Sequence, residues 1–276
     1  MALWYNSNEL WLQHSSGGSD MYKLRRKLLS QNFLHSRKLV SKLLGNSSIG
    51  KSDLVLEIGP GKGIITEQLS QKSQLLIGIE LDNHWYKYLY EKFEHQSNVL
   101  LYNQDFLNFS LPSLPYKVFA NVPFAIEGKI VRKLIDDRYP PEDCYLILMR
   151  ELAVRLEARQ KDNFFSICHK PWFDFSIPYY FERSDFTPHP NVDAVLFRFV
   201  KKHQPLLPIK EKQYYQKFIE RSFGHGQAVY QNLKIYTDRT ILDHAFQKLS
   251  LNRKIKPGHL SLSQWIRLYQ LVARVG

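Results

Sequence analysis

The stretch Leu54-Val-Leu-Glu-Ile-Gly-Pro-Gly-Lys-Gly63 decides the fold of this chain of 276 residues. A short, mostly apolar run typical of a buried strand leads directly into glycines at positions 59, 61 and 63, and a helical pattern follows. Glycine lets the backbone turn sharply and approach a ligand where a Cβ would collide. The stretch therefore predicts a strand, a tight ligand-binding loop and a helix, which together form one unit of an α/β sheet.

The spacing of these glycines argues against two common nucleotide loops. It lacks the G-x-G-x-x-G pattern of dinucleotide-binding folds, and no G-K-[ST] is present as in a P-loop. The pattern Glu57-x-Gly-x-Gly-x-Gly instead resembles the cofactor loop of S-adenosylmethionine (SAM) methyltransferases. We therefore expect SAM as the cofactor, bound in part by Glu57, Gly59, Gly61 and Gly63.

Two further predicted strands also lead to an acid. The run Leu75–Glu80 reads as the next buried strand, and Val99–Asp105 contains a third. An acid at the end of the second strand can accept hydrogen bonds from a ribose diol, and one after the third could receive an adenine amine. A single such acid could equally be a solvated strand end. Because several strands in succession lead to an acid, the pattern favours a cofactor site that includes Glu80, Leu81, Asp105 and Phe106.

The tetrapeptide Asn121-Val-Pro-Phe124 follows a fourth predicted strand and is close to the [DNS]-[IP]-P-[YF] signature of enzymes that methylate planar amino nitrogens. The lone pair of such an amine is delocalised, and two acceptors on its hydrogens would favour a tetrahedral, more nucleophilic nitrogen. Pro123 fixes its own φ and so holds a backbone carbonyl in place. Phe124 offers a stacking face worth about 1–3 kcal/mol to an unstacked base. An ordinary Asn-x-Pro turn is the alternative interpretation.

In their order along the chain, these motifs resemble the rRNA adenine N6-methyltransferases. This family includes the erythromycin-resistance (Erm) enzymes and the small-subunit rRNA adenine dimethyltransferases. The resemblance runs from about residue 24 to the end of the sequence and rests on these segments: Ser30–Leu34, Glu57–Gly63, Glu80, Asp105, Asn121–Phe124 and Phe186–Asp193.

The resemblance implies a role for each matched residue. Gln31, Asn32 and Leu34 would touch the cofactor from the N-terminal segment. Gly59 would lie under its methionine part, Glu80 at its ribose and Asp105 at its adenine.

The same resemblance places the target adenine at the tetrapeptide. Asn121 would hold the target amine together with the backbone of Val122 and Pro123, while Phe124 would stack on the base. Phe186 would close the base pocket from the other side. A core phenylalanine beside a proline turn is the other interpretation of Phe186.

Within this family, three features of the chain resemble the Erm branch. These are the tetrapeptide with its following helix Lys129–Leu134, the segment Lys170–Asp174 with Pro-Trp-Phe, and the closing stretch Leu260–Tyr269. The segments Ala125–Gly128 and Gly224–Tyr230 depart from the usual pattern, which puts target orientation and part of the RNA surface in question.

The Erm resemblance implies methylation of one adenine in 23S rRNA, free or in precursor particles, and hence resistance to macrolide, lincosamide and streptogramin B antibiotics. Three alternatives stay open: a 16S rRNA adenine dimethyltransferase, a DNA adenine methyltransferase and a non-catalytic nucleic-acid-binding relative.

The composition agrees with a polyanionic partner. The chain has 38 Lys and Arg against 26 Asp and Glu, a formal net charge of +12 and a pI of about 9.5. Such a field attracts RNA or DNA. A charge cluster can also be only a solvated face. The candidate RNA-binding residues are Lys23, Arg25, Arg26, Lys27, Lys129, Arg132 and Lys133.

The periodicity predicts three regions: a flexible tail over 1–22, a catalytic domain over 23–203 and a helical RNA-binding domain over 204–276. The fold class is α/β, a Rossmann-like SAM-dependent methyltransferase sheet with helices on both faces, followed by a small C-terminal helical domain. The last strand is predicted at Val192–Val200. Helices are predicted at Glu211–Phe223, Asp238–Leu249 and Ser263–Ala273.

Targeting signals and metal patterns are not visible in the sequence. No basic-then-apolar start suggests a signal peptide, and no apolar run approaches the roughly 18 residues of a membrane span. Cys144 and Cys168 match no metal spacing. We therefore expect a cytoplasmic, reduced, metal-free monomer that has no membrane contact.

Overall fold

The computed structural model describes residues 32–273, except for the side chains of His225 and Ala273. The predicted tail and five of the candidate site residues, together with the start of one motif, lie outside the described residues. One of these is the predicted cofactor contact Gln31, and the others are Lys23, Arg25, Arg26 and Lys27 together with the start of the Ser30–Leu34 motif.

The strands alternate with helices through most of the chain. In chain order the strands are β1 (Phe33–Leu34), β2 (Leu54–Ile58), β3 (Leu75–Glu80), β4 (Val99–Asn103), β5 (Lys117–Asn121), β6 (Asp143–Met149), β7 (Phe173–Tyr180), β8 (Phe186–Thr187) and β9 (Ala194–Lys201). The helices are α1 (Arg37–Gly45), α2 (Ile64–Lys72), α3 (Asn83–Phe93), α4 (Glu127–Asp136), α5 (Arg150–Glu157), α6 (Phe164–His169), α7 (Lys212–Phe223), α8 (Val229–Leu233), α9 (Arg239–Lys248) and α10 (Leu262–Ala273).

A seven-stranded sheet with the order β4-β3-β2-β5-β6-β9-β7 forms the centre of the fold. The neighbours from β4 to β6 are parallel, and β9 pairs antiparallel with β6. The chain builds outward from β2 to β4 and then returns to place β5 on the other side of β2. Strand order therefore reverses between β2 and β5, and ligands of open α/β sheets bind at such a switch point. This arrangement confirms the predicted α/β methyltransferase sheet.

The sequence explains these elements locally. Strands such as β6 are buried along nearly their whole length, which fits the continuous apolar runs of a sheet covered on both faces. Ser36 caps the start of helix α1, and its hydroxyl accepts from Leu39 N at 3.2 Å. Asp82 caps the start of helix α3, and its carboxylate accepts from His84 N at 2.8 Å. Such caps satisfy amides that a helix start leaves unpaired.

A two-stranded antiparallel ribbon joins two distant parts of the chain. Phe33 lies opposite Thr187, and Leu34 lies opposite Phe186. The ribbon is extended by His35, whose Nε2 donates to the Ser184 carbonyl at 2.7 Å. The segment that precedes α1 is thereby fixed to the loop between β7 and β9. We call β1 with β8 the N-terminal ribbon.

The residues form two compact units. One contains the described residues up to Val154 together with Phe175–Lys201, and the other contains Arg155–Asp174 and the chain from Lys202 onward. The boundary near residues 203–204 stays a prediction, and by its contacts Arg155–Asp174 groups with the C-terminal helices. Trp172 shows why: its Nε1 donates to the Leu207 carbonyl at 2.9 Å, and its ring packs edge-on against Tyr215.

The second unit, which we call the helical unit, contains the three helices expected from periodicity, at Lys212–Phe223, Arg239–Lys248 and Leu262–Ala273. It also contains the short α6 and α8, which the sequence analysis did not identify. Its core is aromatic, with Tyr215 and Trp265 both fully buried. Across residues 32–273, no helix has the length and apolar character required to span a membrane.

Candidate active site

The predicted site residues follow the carboxyl ends of neighbouring parallel strands. Because the strand order is β4-β3-β2-β5, Asp105, Glu80, Gly59 and Asn121 follow one another along a single edge of the sheet. The register supports this, since Glu80 lies opposite Asn103 and Ile58 lies opposite Ile79. We call this row the carboxyl edge. It provides an extended strip on which a long ligand can lie.

The glycine loop after β2 has the backbone that its sequence predicts. Gly59, Gly61 and Gly63 have φ angles of 63°, 55° and 76°, in the left-handed region that favours glycine. A Cβ on Gly63 would lie 2.7 Å from Cδ2 of Leu89 on helix α3. Gly63 therefore also permits close packing of two helices.

Glu80 fixes this loop to the neighbouring strand. Its side chain is 1% exposed, and Oε2 accepts from Gly61 N while Oε1 accepts from Asp82 N, each at 2.9 Å. Burial raises the pKa of this carboxyl, and the two amides oppose the rise. Leu81, which follows directly, is 55% exposed and offers an apolar surface beside the acid.

Glu57 is a buried acid below the same loop. Its residue is 1% exposed, and desolvation raises the pKa of its carboxyl to about 8, a rise that nearby Thr66 opposes. Among residues 32–273, no group donates a hydrogen bond to its Oε2. Buried polar atoms are rarely left unsatisfied in folded proteins. An unsatisfied acceptor beside a glycine loop suits a ligand that brings its own donors, as the ammonium of SAM would.

Asp105 begins the short turn Phe106–Asn108. Its Oδ1 accepts from Leu107 N at 2.8 Å. Phe106 is only 4% exposed, and Lys133 Nζ lies 5.7 Å from its ring centroid. Asp105 can therefore serve both as a cap and as an acceptor, whereas the Phe106 ring packs inside the fold. That Asp105 and Phe106 contact the cofactor stays a prediction.

The side chain of Asn121 is held by a distant residue. Its Nδ2 donates to the main-chain carbonyl of Asn32 at 2.7 Å. Its Oδ1 accepts no hydrogen bond from the described part of the chain. The amide is thus oriented with its oxygen available. The sequence could not reveal this contact, because 89 residues separate the two asparagines.

The rest of the tetrapeptide has two distinct carbonyls. Pro123 has a φ of −61°, and its carbonyl accepts from Ile126 N at 3.1 Å in a 3₁₀ turn. Val122 is 3% exposed as a whole residue, and the turns and loops of the described chain give its carbonyl no backbone donor. Phe124 is half-buried and packs against the core. Because the Pro123 carbonyl already accepts from Ile126, the Val122 carbonyl is the candidate second acceptor beside Asn121.

Phe186 lies inside the protein. It is 0% exposed, and its ring centroid is 5.3 Å from that of Phe181. This burial agrees with the core interpretation of Phe186, and its contact with a target base stays a prediction. Through the ribbon, the same residue anchors Leu34, another predicted cofactor contact that is 3% exposed.

Glu127, which belongs to the segment that departs from the family pattern, is a buried acid close to the tetrapeptide in the chain. It is 3% exposed, and its Oε2 accepts from Met149 N at 2.8 Å. It therefore connects the start of α4 to the end of β6. The sequence feature that could have identified Glu127 is its position as an acid at the start of an otherwise amphipathic helix.

The helix α4 follows the tetrapeptide and carries the basic candidates that the structure describes. Lys129 and Arg132 are exposed, and Lys133 is half-buried beside Phe106. Among residues 32–273, no group of three or more His, Cys, Asp or Glu side chains could hold a metal ion.

Known proteins match the chain over nearly its full length. The family model of ribosomal RNA adenine dimethylase matches residues 22–274. A ribosomal RNA small subunit methyltransferase A from Streptococcus thermophilus is 27% identical over 269 residues, which cover 91% of this chain and 93% of the relative. The protein of the same name from Streptococcus equi subsp. zooepidemicus is 28% identical over equal shares of both chains.

Two solved structures share the fold. The 23S rRNA methyltransferase ErmE superposes with a TM-score of 0.74 at 24% identity and covers 88% of this chain and 100% of its own. A dimethyladenosine transferase from Plasmodium falciparum gives 0.70 at 20% identity, over 86% of this chain and 96% of its own. These two structures show the fold, and the family match shows that this chain belongs to the ribosomal RNA adenine dimethylase family and is a SAM-dependent rRNA adenine methyltransferase.

Proposed function

We propose that this enzyme methylates the N6 amine of a single adenine in 23S rRNA and thereby confers resistance to macrolide, lincosamide and streptogramin B antibiotics. The observation that carries the amine chemistry is the fixed amide of Asn121, whose oxygen is available next to the Val122 carbonyl.

The residues of the carboxyl edge suit SAM, which supplies an electrophilic methyl group on its sulfonium. Asp105 would accept from the adenine amine, Glu80 from the ribose hydroxyls, and the glycine loop would lie against the methionine part. Glu57 Oε2 would accept from the ammonium group. The observations behind this fit are the left-handed glycines and the unsatisfied buried oxygen of Glu57.

The target amine would meet two acceptors. Asn121 Oδ1 and the Val122 carbonyl would each accept one N–H of the amine, which favours a tetrahedral nitrogen with its lone pair directed at the methyl group. Because Nδ2 already donates to Asn32, the amide cannot turn its nitrogen toward the target without losing that hydrogen bond. No dedicated base is needed, since an alkylated arylamine is strongly acidic until it loses its proton.

The adenine itself would leave its stack and lie on Phe124. Extrusion of a base costs a few kcal/mol, and stacking on an aromatic ring offsets about 1–3 kcal/mol. Phe124 is packed on one side against the core, so its ring is already held in place. We expect Phe124→Ala to reduce RNA methylation more than SAM affinity, and Phe124→Tyr to have little effect.

The helix α4 is the part of the RNA surface that lies next to this pocket. Lys129, Arg132 and Lys133 follow the tetrapeptide within a few residues, so that a phosphate near the target adenine would fall within their reach. The C-terminal helical unit is proposed as a second RNA-binding region.

The choice of 23S rRNA rests on sequence features: the Asn-Val-Pro-Phe form of the tetrapeptide, the basic helix after it and the Pro-Trp-Phe segment. A second candidate is 16S rRNA, which is favoured by the relatives at 27–28% identity named small subunit methyltransferases. Trp172 of the Pro-Trp-Phe segment is 3% exposed and packs in the helical unit, so this segment argues for shared packing more than for a shared target.

The deciding experiment is to incubate the purified protein and SAM with protein-free 23S rRNA, protein-free 16S rRNA and assembled small subunits. Methylated adenines are then mapped by primer-extension stops, with Asn121→Ala as the inactive control. One stop in the peptidyl-transferase region of 23S rRNA supports the proposal. Stops only on small subunits support the 16S function, and expression in a macrolide-sensitive host would then leave erythromycin sensitivity unchanged.

A further inference from the structure

A groove of about 390 Å³ lies beside the glycine loop in the sheet-containing unit. Apart from Leu34, it contains none of the predicted cofactor or target residues. The residues that give the groove its character are Phe33, Arg37, Lys62, Glu67, Tyr88 and Lys92. We call it the loop groove.

The charges in the loop groove do not balance. Glu67 Oε2 is shared between Arg37 Nη2 at 3.1 Å and Lys92 Nζ at 3.3 Å. Lys62 has no acidic partner within residues 32–273, and its Nζ lies 5.0 Å from the ring centroid of Phe33. Three cations thus face one carboxylate. The groove therefore carries an excess of positive charge and favours an anion.

Lys62 is held at a fixed point of the loop. It lies between Gly61 and Gly63, which both have left-handed φ angles, and the amide of Gly61 donates to the buried Glu80. The loop is therefore a rigid base for this lysine. A lysine on such a loop, next to the start of α2, is well placed to meet a phosphate.

The walls of the groove are aromatic. The Phe33 ring lies edge-on to Trp85 with centroids 5.6 Å apart, and the centroid of the Tyr88 ring lies 6.0 Å from that of the same tryptophan. Tyr88 is 43% exposed. Surfaces that combine cations with exposed aromatic rings bind the phosphate and the base of single-stranded nucleic acid.

The groove also adjoins the segment that orients the target residue. Leu34 and Thr187 of the N-terminal ribbon line it, and Asn32, directly before the ribbon, orients Asn121 through its carbonyl. A ligand in the groove would therefore lie against the same ribbon that is linked to Asn121.

We propose that the loop groove binds one nucleotide of the RNA substrate other than the target adenine. Its phosphate lies on Lys62, supported by Arg37 and Lys92, and its base lies on Tyr88. The inference rests on the proposed function in one respect, that the ligand is RNA.

The test measures the binding of 23S and 16S rRNA transcripts to the full chain without SAM over a range of KCl concentrations. Lys62→Gln should weaken binding about three- to tenfold near 0.1 M KCl and lower the salt slope by about 0.7–0.9. Lys38→Gln, an exposed lysine on α1 that does not line the groove, is the matched control and should change neither value.

Glu67→Gln gives a prediction of opposite sign. It removes the only carboxylate of the groove and frees two cations, so RNA binding should tighten and the salt slope should steepen. A purely structural role for these ion pairs predicts weaker binding instead. Melting temperatures of both variants identify any loss of folding.

Tyr88→Ala tests the base contact. It should weaken RNA binding at least about fivefold, whereas Tyr90→Ala, on the same helix but outside the groove, should not. If Lys62→Gln and Glu67→Gln bind RNA as Lys38→Gln does, the proposal is overturned. Because this assay requires no methyl transfer, its failure is distinguishable from a failure to methylate rRNA.

Discussion

Two asparagines, one at the carboxyl edge and one in the helical unit, make the same kind of hydrogen bond for different purposes. Asn121 donates through Nδ2 to Asn32, and its oxygen is available. Asn232 donates through Nδ2 to the Ser222 carbonyl at 2.8 Å and to that of Gln227 at 3.3 Å. Its residue is 1% exposed, and its Oδ1 is buried with no partner in the described chain.

This difference helps to distinguish motif residues that act in the reaction from motif residues that stabilise the fold. Both asparagines leave one oxygen without a partner in the described chain. The oxygen of Asn121 belongs to a half-buried residue at the carboxyl edge, whereas that of Asn232 is buried inside the helical unit, where the side chain connects Ser222 with Gln227. Trp172 belongs to the second kind, since its one donor is satisfied by Leu207 and its ring is buried. Variants of residues from each region test this division.

Trp172→Ala should lower the free energy of unfolding by about 3–5 kcal/mol, as large-to-small changes of buried aromatic residues do. Urea unfolding followed by circular dichroism measures this loss. Trp172→Phe keeps most of the packing and removes the bond to Leu207, so it should cost about 1 kcal/mol. If the alanine variant is stable but fails to bind RNA, Trp172 belongs to the RNA surface and the division is wrong.

Asn121→Ala should reduce the methylation rate about 10²–10³-fold, equivalent to roughly 3–4 kcal/mol, because it removes an acceptor that acts as the amine becomes tetrahedral. SAM affinity by calorimetry should stay within about twofold. Asn232→Ala is the control from the other region, and it should lower stability by about 1–3 kcal/mol while leaving the rate per folded molecule unchanged. Near-normal turnover of Asn121→Ala would contradict the proposed role.

Glu57 should make the stability of the SAM-free protein depend on pH. Its pKa is about 8 in the folded protein against 4.5 for an ordinary glutamate, so the folded state binds more protons between these values. The free energy of unfolding should therefore fall as pH rises, by on the order of 3 kcal/mol from about pH 5 to about pH 8. Glu57→Gln should flatten this part of the profile, whereas the exposed Glu91→Gln should leave it unchanged.

Asp105→Asn should weaken SAM binding about tenfold, since a charge-assisted hydrogen bond is replaced by a neutral one. The cap on Leu107 N can be retained by the asparagine oxygen, so stability should change little. Isothermal titration gives the affinity and thermal unfolding the stability. An equal loss in both measurements would show that Asp105 acts mainly as a cap.

Much of the fold was predictable because the signals are local. The glycine loop, the acids after β3 and β4 and the tetrapeptide after β5 each follow an apolar strand, and parallel strands bring their carboxyl ends to one edge. The three helices of the C-terminal region were confirmed to within a residue or so at each boundary, since their periodicity is regular. The order of these motifs along the chain resembles that of the rRNA adenine methyltransferases, and this resemblance predicted the activity.

The features that the sequence did not predict depend on contacts between distant residues. The pairing of Phe33 with Thr187 joins two-residue strands that carry no periodic signal. The sequence could not decide between a core role and a pocket role for Phe186, because a phenylalanine beside a proline suits both. Helix α6 had a usable signal, the capping box of Asn163 and Ser166, but its six residues are too few for periodicity. The grouping of Arg155–Asp174 with later helices depends on tertiary packing alone.

The bond between Asn121 and Asn32 links the tetrapeptide to the N-terminal ribbon. The carbonyl that orients the amide belongs to the residue directly before the ribbon, and the ribbon is a short pair of two-residue strands. Loss of this bond would leave the Asn121 amide free to rotate. The ribbon and the tetrapeptide are therefore one mechanical unit, although 89 residues separate the two asparagines.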